Sequence, residues 1–232
     1  MESVSGPHAG QPLVTAGAPA AAADVALVAL HGRGATAQGV VNLFEPAIGH
    51  GVAVFAPEAA RSRWFPRAFD APVEANEPHL TSGVECVAAA IARAAAIDLP
   101  PERVVLAGFS QGACLAAEFV RRNPDRYGGV AALSGALPGS VDRDGEGAAS
   151  AEVAGGSGTD RGLDGTPVFL GCGAEDPHVG SRQVEATAAT FEALGASVTT
   201  RRYPGLGHAV TDDEFDALRD LLDGAAAAAG AE

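Results

Sequence analysis

The sequence predicts one α/β domain in which a mostly parallel sheet is covered by helices on both faces. Short, nearly continuous apolar runs alternate along the chain with longer segments of helical periodicity, and this alternation is typical of parallel strands joined by helices. Of the 232 residues, 47% are hydrophobic, which is enough for one substantial core. We therefore expect a single domain over residues 1–232.

Five buried strands are expected from runs that are almost entirely apolar, as strands covered on both faces should be. These runs are residues 24–32, 51–57, 103–110, 128–135 and 166–173. Residues 197–204 predict a sixth, more polar strand, and residues 12–18 predict an additional strand at the edge of the sheet.

Helices are expected between these strands, because apolar residues there recur every three or four positions. The segments are residues 36–49, 80–97, 111–123, 181–194 and 211–224. Pro46 should break or restart the first of them, since proline removes a helical hydrogen bond.

Three segments are expected to be flexible. Residues 139–165 combine eight glycines and six acidic residues with few bulky apolar side chains, so burial cannot offset their ordering entropy. This segment is interpreted either as a tolerated insertion or as a lid, because it follows the carboxyl end of a strand, where α/β sheets bind ligands. The chain ends, residues 1–12 and 224–232, are expected to fray.

The charge of the chain excludes two classes of partner. The formal net charge is -14, and all 15 basic residues are Arg, so nucleic acid and anionic membrane surfaces should be repelled. A halophilic origin explains such a composition through screening by a salt-rich cytoplasm. A GC-rich genome that favours Arg and Ala codons explains it as well.

The cysteines and the N-terminus predict a soluble, cytoplasmic protein without a metal or an organic cofactor. Cys86, Cys114 and Cys172 lie far apart with no metal-ligand spacing, so we interpret them as small buried hydrophobes. No run approaches the length of a membrane span, and the first residues lack the basic and apolar regions of a signal peptide. The oligomeric state is left open, with a homodimer among the options.

The segment GFSQGA, residues 108–113, predicts a nucleophile elbow. In that turn a serine lies between a strand and a helix, and glycines two residues on either side allow the two elements to approach closely. The motif alone is weak in a chain with 30 glycines, but a buried strand precedes Ser110 and a helix rich in small residues follows it. Ser110 is therefore the candidate nucleophile.

A serine hydroxyl needs a base and an acid that orients this base. His208 is the preferred base, because it follows the last strand in a glycine-rich loop, whereas His178 is interpreted as a surface residue or part of a pocket rim. Asp176 is preferred over Glu175 as the acid. Its alternative role is that of a capping or turn residue before Pro177.

An oxyanion hole needs backbone N–H donors near the nucleophile. One is expected from Gln111, directly after Ser110, and the other from the loop after an earlier strand. The segment LHGRGA, residues 30–35, is such a loop, so Arg33 should supply the second N–H. An ordinary glycine-rich turn is the alternative.

Together, LHGRGA, GFSQGA, GAEDPHV and GLGHAV resemble the phospholipase/carboxylesterase family of α/β-hydrolases, which includes acyl-protein thioesterases. The resemblance covers about residues 24–222. It implies the α/β-hydrolase fold and a catalytic triad of Ser110, Asp176 and His208. Residues 63–78 are similar to a substrate-side loop of some esterases in the family, where Trp64 and Phe65 would line an acyl pocket or simply pack.

We expect a serine carboxylesterase that acts on small soluble acyl esters. The long 139–165 insertion and the absence of an apolar lid speak against long-chain lipids. An acyl thioesterase or lysophospholipase of the same family is an alternative, and a noncatalytic ligand-binding protein is an alternative of another class. A serine at the elbow argues against a dienelactone hydrolase, which usually carries cysteine there.

Overall fold

The computed structural model describes residues 4–141 and 162–228. Its strands are β1 (Leu13–Gly17), β2 (Val25–Leu30), β3 (Val52–Pro57), β4 (Val104–Phe109), β5 (Gly129–Leu133), β6 (Pro167–Gly173) and β7 (Ser197–Tyr203). They form one sheet in the order β1-β3-β2-β4-β5-β6-β7. β1 pairs antiparallel with β3, and the other pairs are parallel. The predicted sheet, including its edge strand, is confirmed.

Five α-helices cover this sheet. They are α1 (Ala37–Phe44), α2 (His79–Ala95), α3 (Gln111–Arg122), α4 (Ser181–Ala193) and α5 (Asp212–Ala228). One core cluster contains buried residues of α2, α3 and α4, and the other contains those of α1 and α5. The prediction of helices on both faces is confirmed. α1 ends at Phe44, and a 3₁₀ turn with Pro46 follows it, as the missing N–H of proline predicts.

The two core clusters explain the continuous apolar runs of the central strands. Along β2, Ala26, Val28 and Leu30 belong to the cluster under α2–α4. The residues between them belong to the cluster under α1 and α5, because successive side chains of a strand point to opposite faces. The three cysteines are buried free thiols, as expected.

Two expectations about flexible ends are wrong within the described residues. Val4 and His8 are only 6% and 0% exposed, and the backbone N–H of His8 donates to the Ser82 hydroxyl at 3.0 Å. The N-terminal segment therefore packs against α2. α5 continues to Ala228, with Ala225 buried. Of the predicted 139–165 loop, residues 142–161 lie outside the described residues.

Among the described residues, no helix combines the length and the apolar character that crossing a membrane would require.

Candidate active site

Ser110 forms a sharp turn between β4 and α3. Its backbone has φ 56° and ψ -120°, a conformation that costs free energy for any residue other than glycine and that often occurs at functional sites. The Ser110 N–H donates to the Leu133 carbonyl at 2.9 Å, which fixes the turn against β5. The local geometry is that of the predicted elbow.

The elbow glycines are required by close backbone contacts. A Cβ on Gly108 would overlap the backbone of Gly112, and a Cβ on Gly112 would overlap the Leu30 carbonyl. β4, α3 and the end of β2 thus approach more closely than any side chain allows. The steric role that the sequence predicted for these glycines is confirmed.

Gly112→Ala is expected to destabilise the protein by about 2 kcal/mol or more, because the added methyl group has no room and the backbone must shift. Gly224→Ala is the matched control, since its Cβ would meet nothing within 4 Å in α5. That change should stabilise the protein by about 0.5–1 kcal/mol through helix propensity. Urea unfolding of both variants checks this. Equal stabilities would contradict the close approach at the elbow.

Three side chains that are distant in sequence meet at the carboxyl ends of β4, β6 and β7. His208, in the loop between β7 and α5, lies with Nε2 2.8 Å from Ser110 Oγ. Its Nδ1 lies 2.7 Å from Oδ2 of Asp176, a residue in the loop after β6. The structure brings together the three residues that the sequence singled out, in one continuous row of hydrogen bonds.

The two carboxylate oxygens of Asp176 have separate partners. Oδ2 faces His208, while Oδ1 accepts the backbone N–H groups of His178 at 2.8 Å and Val179 at 3.1 Å. Burial disfavours ionisation, but the hydrogen bonds from His208 and from both N–H groups outweigh it and lower the pKa of Asp176. The carboxylate therefore both closes a turn and holds the imidazole.

Glu175 and His178, the less favoured candidates for acid and base, lie outside the row of hydrogen bonds that joins Ser110, His208 and Asp176. Glu175 is exposed, and no hydrogen bond joins its side chain to His208 within the described part of the chain. His178 lies at the rim, with its ring 4.9 Å from that of His208. It precedes α4, which starts at Ser181.

The predicted oxyanion loop lies directly against Ser110. A Cβ on Gly32 would come within 3.4 Å of the Ser110 Cβ, so the glycine allows the loop to approach. Both Arg33 and Gln111 line the same cleft as Ser110. Within residues 4–141 and 162–228, neither backbone N–H has a hydrogen-bond acceptor, which leaves both donors free for a ligand.

A buried histidine fixes the base of this loop. His31 is 0% exposed, its Nδ1 lies 2.8 Å from the Gly32 carbonyl, and its Nε2 accepts the Ala59 N–H at 3.1 Å. Burial lowers the pKa of His31, so the neutral ring with a proton on Nδ1 matches both contacts. His31 thus ties the oxyanion loop to the end of β3.

The cleft around Ser110 has a volume of about 550 Å³. Phe65 lines it, together with Phe69 and Val179. Trp64 does not line it, and of the two alternatives for this residue, pocket lining or packing, the structure shows packing. The indole is 0% exposed, and its Nε1 donates to the His31 carbonyl at 2.9 Å, so it supports the oxyanion loop from behind.

The sequence did not predict a role for the side chains of Gln111 and Arg33. The side-chain amide of Gln111 accepts the backbone N–H of Trp64 at 2.7 Å and donates to the Phe65 carbonyl at 2.8 Å. The Arg33 guanidinium donates to the carbonyls of Phe65 and Arg67 at 3.0 and 2.7 Å, and to a third carbonyl between them. Both residues thus fix the cleft wall, defined as residues 65–69, in addition to offering backbone N–H groups.

The fold and the elbow define the class of protein. A mostly parallel sheet with helices on both faces and a strand–Ser–helix turn at its carboxyl edge is an α/β-hydrolase. Within this class, the model of the phospholipase/carboxylesterase family matches residues 12–225, and the chain belongs to that family.

Individual relatives agree with this membership. The crystal structure of a phospholipase/carboxylesterase from Dyadobacter fermentans DSM 18053 has a TM-score of 0.79 and 34% sequence identity, over 96% of this chain and 98% of that one. A probable carboxylesterase of Oryza sativa subsp. japonica is 29% identical over 72% of this chain and 67% of its own length.

Acyl-protein thioesterase 1 of Debaryomyces hansenii is 29% identical over 54% of this chain and 50% of its own length. The chain thus spans about half the length of some curated relatives that it matches.

Proposed function

We propose that this chain, as a single α/β-hydrolase domain, is a serine carboxylesterase that hydrolyses small soluble acyl esters through an acyl-enzyme. The observation that carries the proposal is the row of hydrogen bonds from Ser110 through His208 to Asp176, at 2.8 and 2.7 Å. Nucleophile, base and orienting acid are within the reach that nucleophilic catalysis needs. Membership of the phospholipase/carboxylesterase family supports the same reaction class.

Acylation begins with attack of Ser110 Oγ on the ester carbonyl carbon. His208 Nε2 accepts the hydroxyl proton, and Asp176 stabilises the resulting imidazolium while it fixes the tautomer. The carbonyl oxygen becomes an oxyanion, which accepts the free backbone N–H groups of Arg33 and Gln111. When the tetrahedral intermediate collapses, the bond to the alkoxy group breaks, and the leaving oxygen takes the proton from His208.

Deacylation repeats these steps with water. His208 Nε2 takes a proton from the attacking water, whose oxygen forms a bond to the acyl carbon. The bond between this carbon and Ser110 Oγ then breaks, and Oγ regains its proton from His208. The products are a carboxylic acid and an alcohol.

The cleft favours small substrates. Its volume of about 550 Å³ is in the range that is usual for small-molecule sites. Its lining combines Phe65 and Phe69 with the charged residues Arg67 and Asp70, which suits a short, partly polar acyl ester. A thioester is the second candidate, because the relative from Debaryomyces hansenii is named an acyl-protein thioesterase, and the same steps release a thiol.

Fluorophosphonate labelling tests whether the chain is an enzyme or a noncatalytic binding protein with the same fold. An activated Ser110 should bond to phosphorus and displace fluoride, and intact-mass spectrometry with peptide mapping would locate the adduct. The labelled protein should also lose its hydrolysis of p-nitrophenyl acetate. Heat-denatured protein is the control, because labelling requires the folded arrangement. A folded protein that neither reacts nor hydrolyses the ester would contradict the proposal.

A further inference from the structure

The cleft carries positive charge in a strongly negative chain. The whole sequence has a net charge of -14, yet among the described residues that line the cleft, Arg33 and Arg67 stand against one carboxylate, Asp70. A local excess of one sign around a cleft concentrates ligands of the opposite sign. The two arginines therefore raise the question of which ligand they attract.

The charge of Arg33 is not matched by a carboxylate. Its guanidinium donates to three backbone carbonyls of the cleft wall, and within the described residues it forms no salt bridge. Burial and the nearby charge of Arg63 lower the pKa of Arg33. An anion bound beside it would oppose both effects, because an opposite charge favours the protonated form.

The side chain of Arg67 is free to contact a ligand, although its backbone is fixed. The Arg67 N–H donates to the Asn76 side chain at 2.9 Å, and its carbonyl accepts from Arg33. Asn76 is 0% exposed, and its amide also donates to the Ala68 carbonyl at 3.0 Å, so this anchor is buried and hydrogen-bonded at both ends. The Arg67 side chain itself is exposed and makes no hydrogen bond or salt bridge within the part of the chain that the structure describes. Asp70, in the same cleft, is not paired with it.

We propose that the cleft selects esters that carry an anionic group, a carboxylate or a phosphate, and that Arg67 is the specificity-determining side chain that binds this group. This inference rests on the proposed esterase function. Arg33 adds to the attraction through its field, while its hydrogen bonds hold the wall. Because a guanidinium presents paired N–H donors, it suits the two oxygens of a carboxylate or phosphate.

Matched ester pairs test this selectivity and show which side of the ester carries the anion. Monomethyl glutarate against methyl pentanoate places the carboxylate on the acyl side. The ester 3-acetoxypropanoate against propyl acetate places it on the alcohol side. Acid release in a pH-stat gives kcat/KM for each ester, and the anionic-to-neutral ratio of each pair is the readout. At least one ratio should exceed unity and should fall in molar KCl, because salt screens the attraction.

Arg67→Gln should lower the favoured ratio about threefold to fivefold, which is the effect of losing one partly exposed charge pair. Arg67→Lys keeps the charge but loses the paired donors, so its ratio should lie between those of the wild type and Arg67→Gln. Arg93→Gln is the matched control, because it removes the same charge from an exposed position at the end of α2, away from the cleft. Its ratio should equal that of the wild type.

The inference is overturned if neither anionic ester is preferred, or if Arg67→Gln and Arg93→Gln change the ratio equally. In both cases the neutral esters would still be hydrolysed, so the proposed esterase function would stand. Failure to hydrolyse any of the four esters or p-nitrophenyl acetate would instead contradict the esterase itself.

Discussion

Ser110→Ala is expected to lower kcat for p-nitrophenyl acetate by about 10⁴- to 10⁶-fold. The substitution removes only the hydroxyl group, which His208 contacts at 2.8 Å in the wild type. The oxyanion donors and the cleft therefore remain. What is left is the background rate that binding and the oxyanion hole support on their own. The variant should also lose fluorophosphonate labelling completely. Steady-state kinetics and intact-mass spectrometry measure both effects.

Ser134→Ala is the matched control for this experiment. Ser134 follows β5 as Ser110 follows β4, it also has a positive φ of 50°, and it lines the same cleft. Its hydroxyl is buried and has no hydrogen-bond partner in the described part of the chain. The control should retain most of the wild-type activity. Comparable losses in both variants would show that the cleft, rather than the hydroxyl of Ser110, was disturbed.

The sheet and the elbow were predictable because they depend on local rules. β2–β6 are apolar on both faces, which is typical of strands inside an α/β sheet. The glycines at 108 and 112 have the spacing of a nucleophile elbow, and the buried strand before them and the helix after them supplied the context that this weak motif needs. The meeting of Ser110, Asp176 and His208 follows from topology, since parallel neighbours bring their carboxyl ends to one edge.

Contacts between distant segments that do not follow from the order of the strands could not be predicted. For Trp64, the resemblance of residues 63–78 to a substrate-side loop leaves open whether the side chain lines an acyl pocket or packs. Its actual position depends on the His31 carbonyl, 33 residues away, and on the His8 ring, 5.5 Å from the indole. The N-terminal segment has no periodic pattern, so nothing local indicated that His8 would pack there. The guanidinium contacts of Arg33 are equally nonlocal. They also could not be predicted, because every residue has a backbone carbonyl and no residue type indicates which one accepts.

Asp176→Asn is expected to lower kcat by about 10³- to 10⁴-fold with little change in structure. The asparagine oxygen can still accept the His178 and Val179 N–H groups, which hold Oδ1 in the wild type. The amide NH₂ then faces His208 Nδ1 and donates to it. This contact favours the tautomer with the proton on Nε2, which cannot accept the proton of Ser110. Steady-state kinetics on p-nitrophenyl acetate would measure the loss.

The free energy of unfolding of Asp176→Asn should depend less on pH than that of the wild type. The pKa of Asp176 is lowered in the folded protein, so the carboxylate stabilises the fold above its ordinary pKa of about 4, and this contribution is lost as the pH falls below that value. Asparagine does not titrate, so the gap between wild type and variant in urea unfolding should narrow in acid. Glu175→Gln, which removes one carboxylate from the exposed neighbouring position, should leave kcat unchanged. If it reduced kcat as much as Asp176→Asn does, local charge rather than the tautomer of His208 would control the reaction.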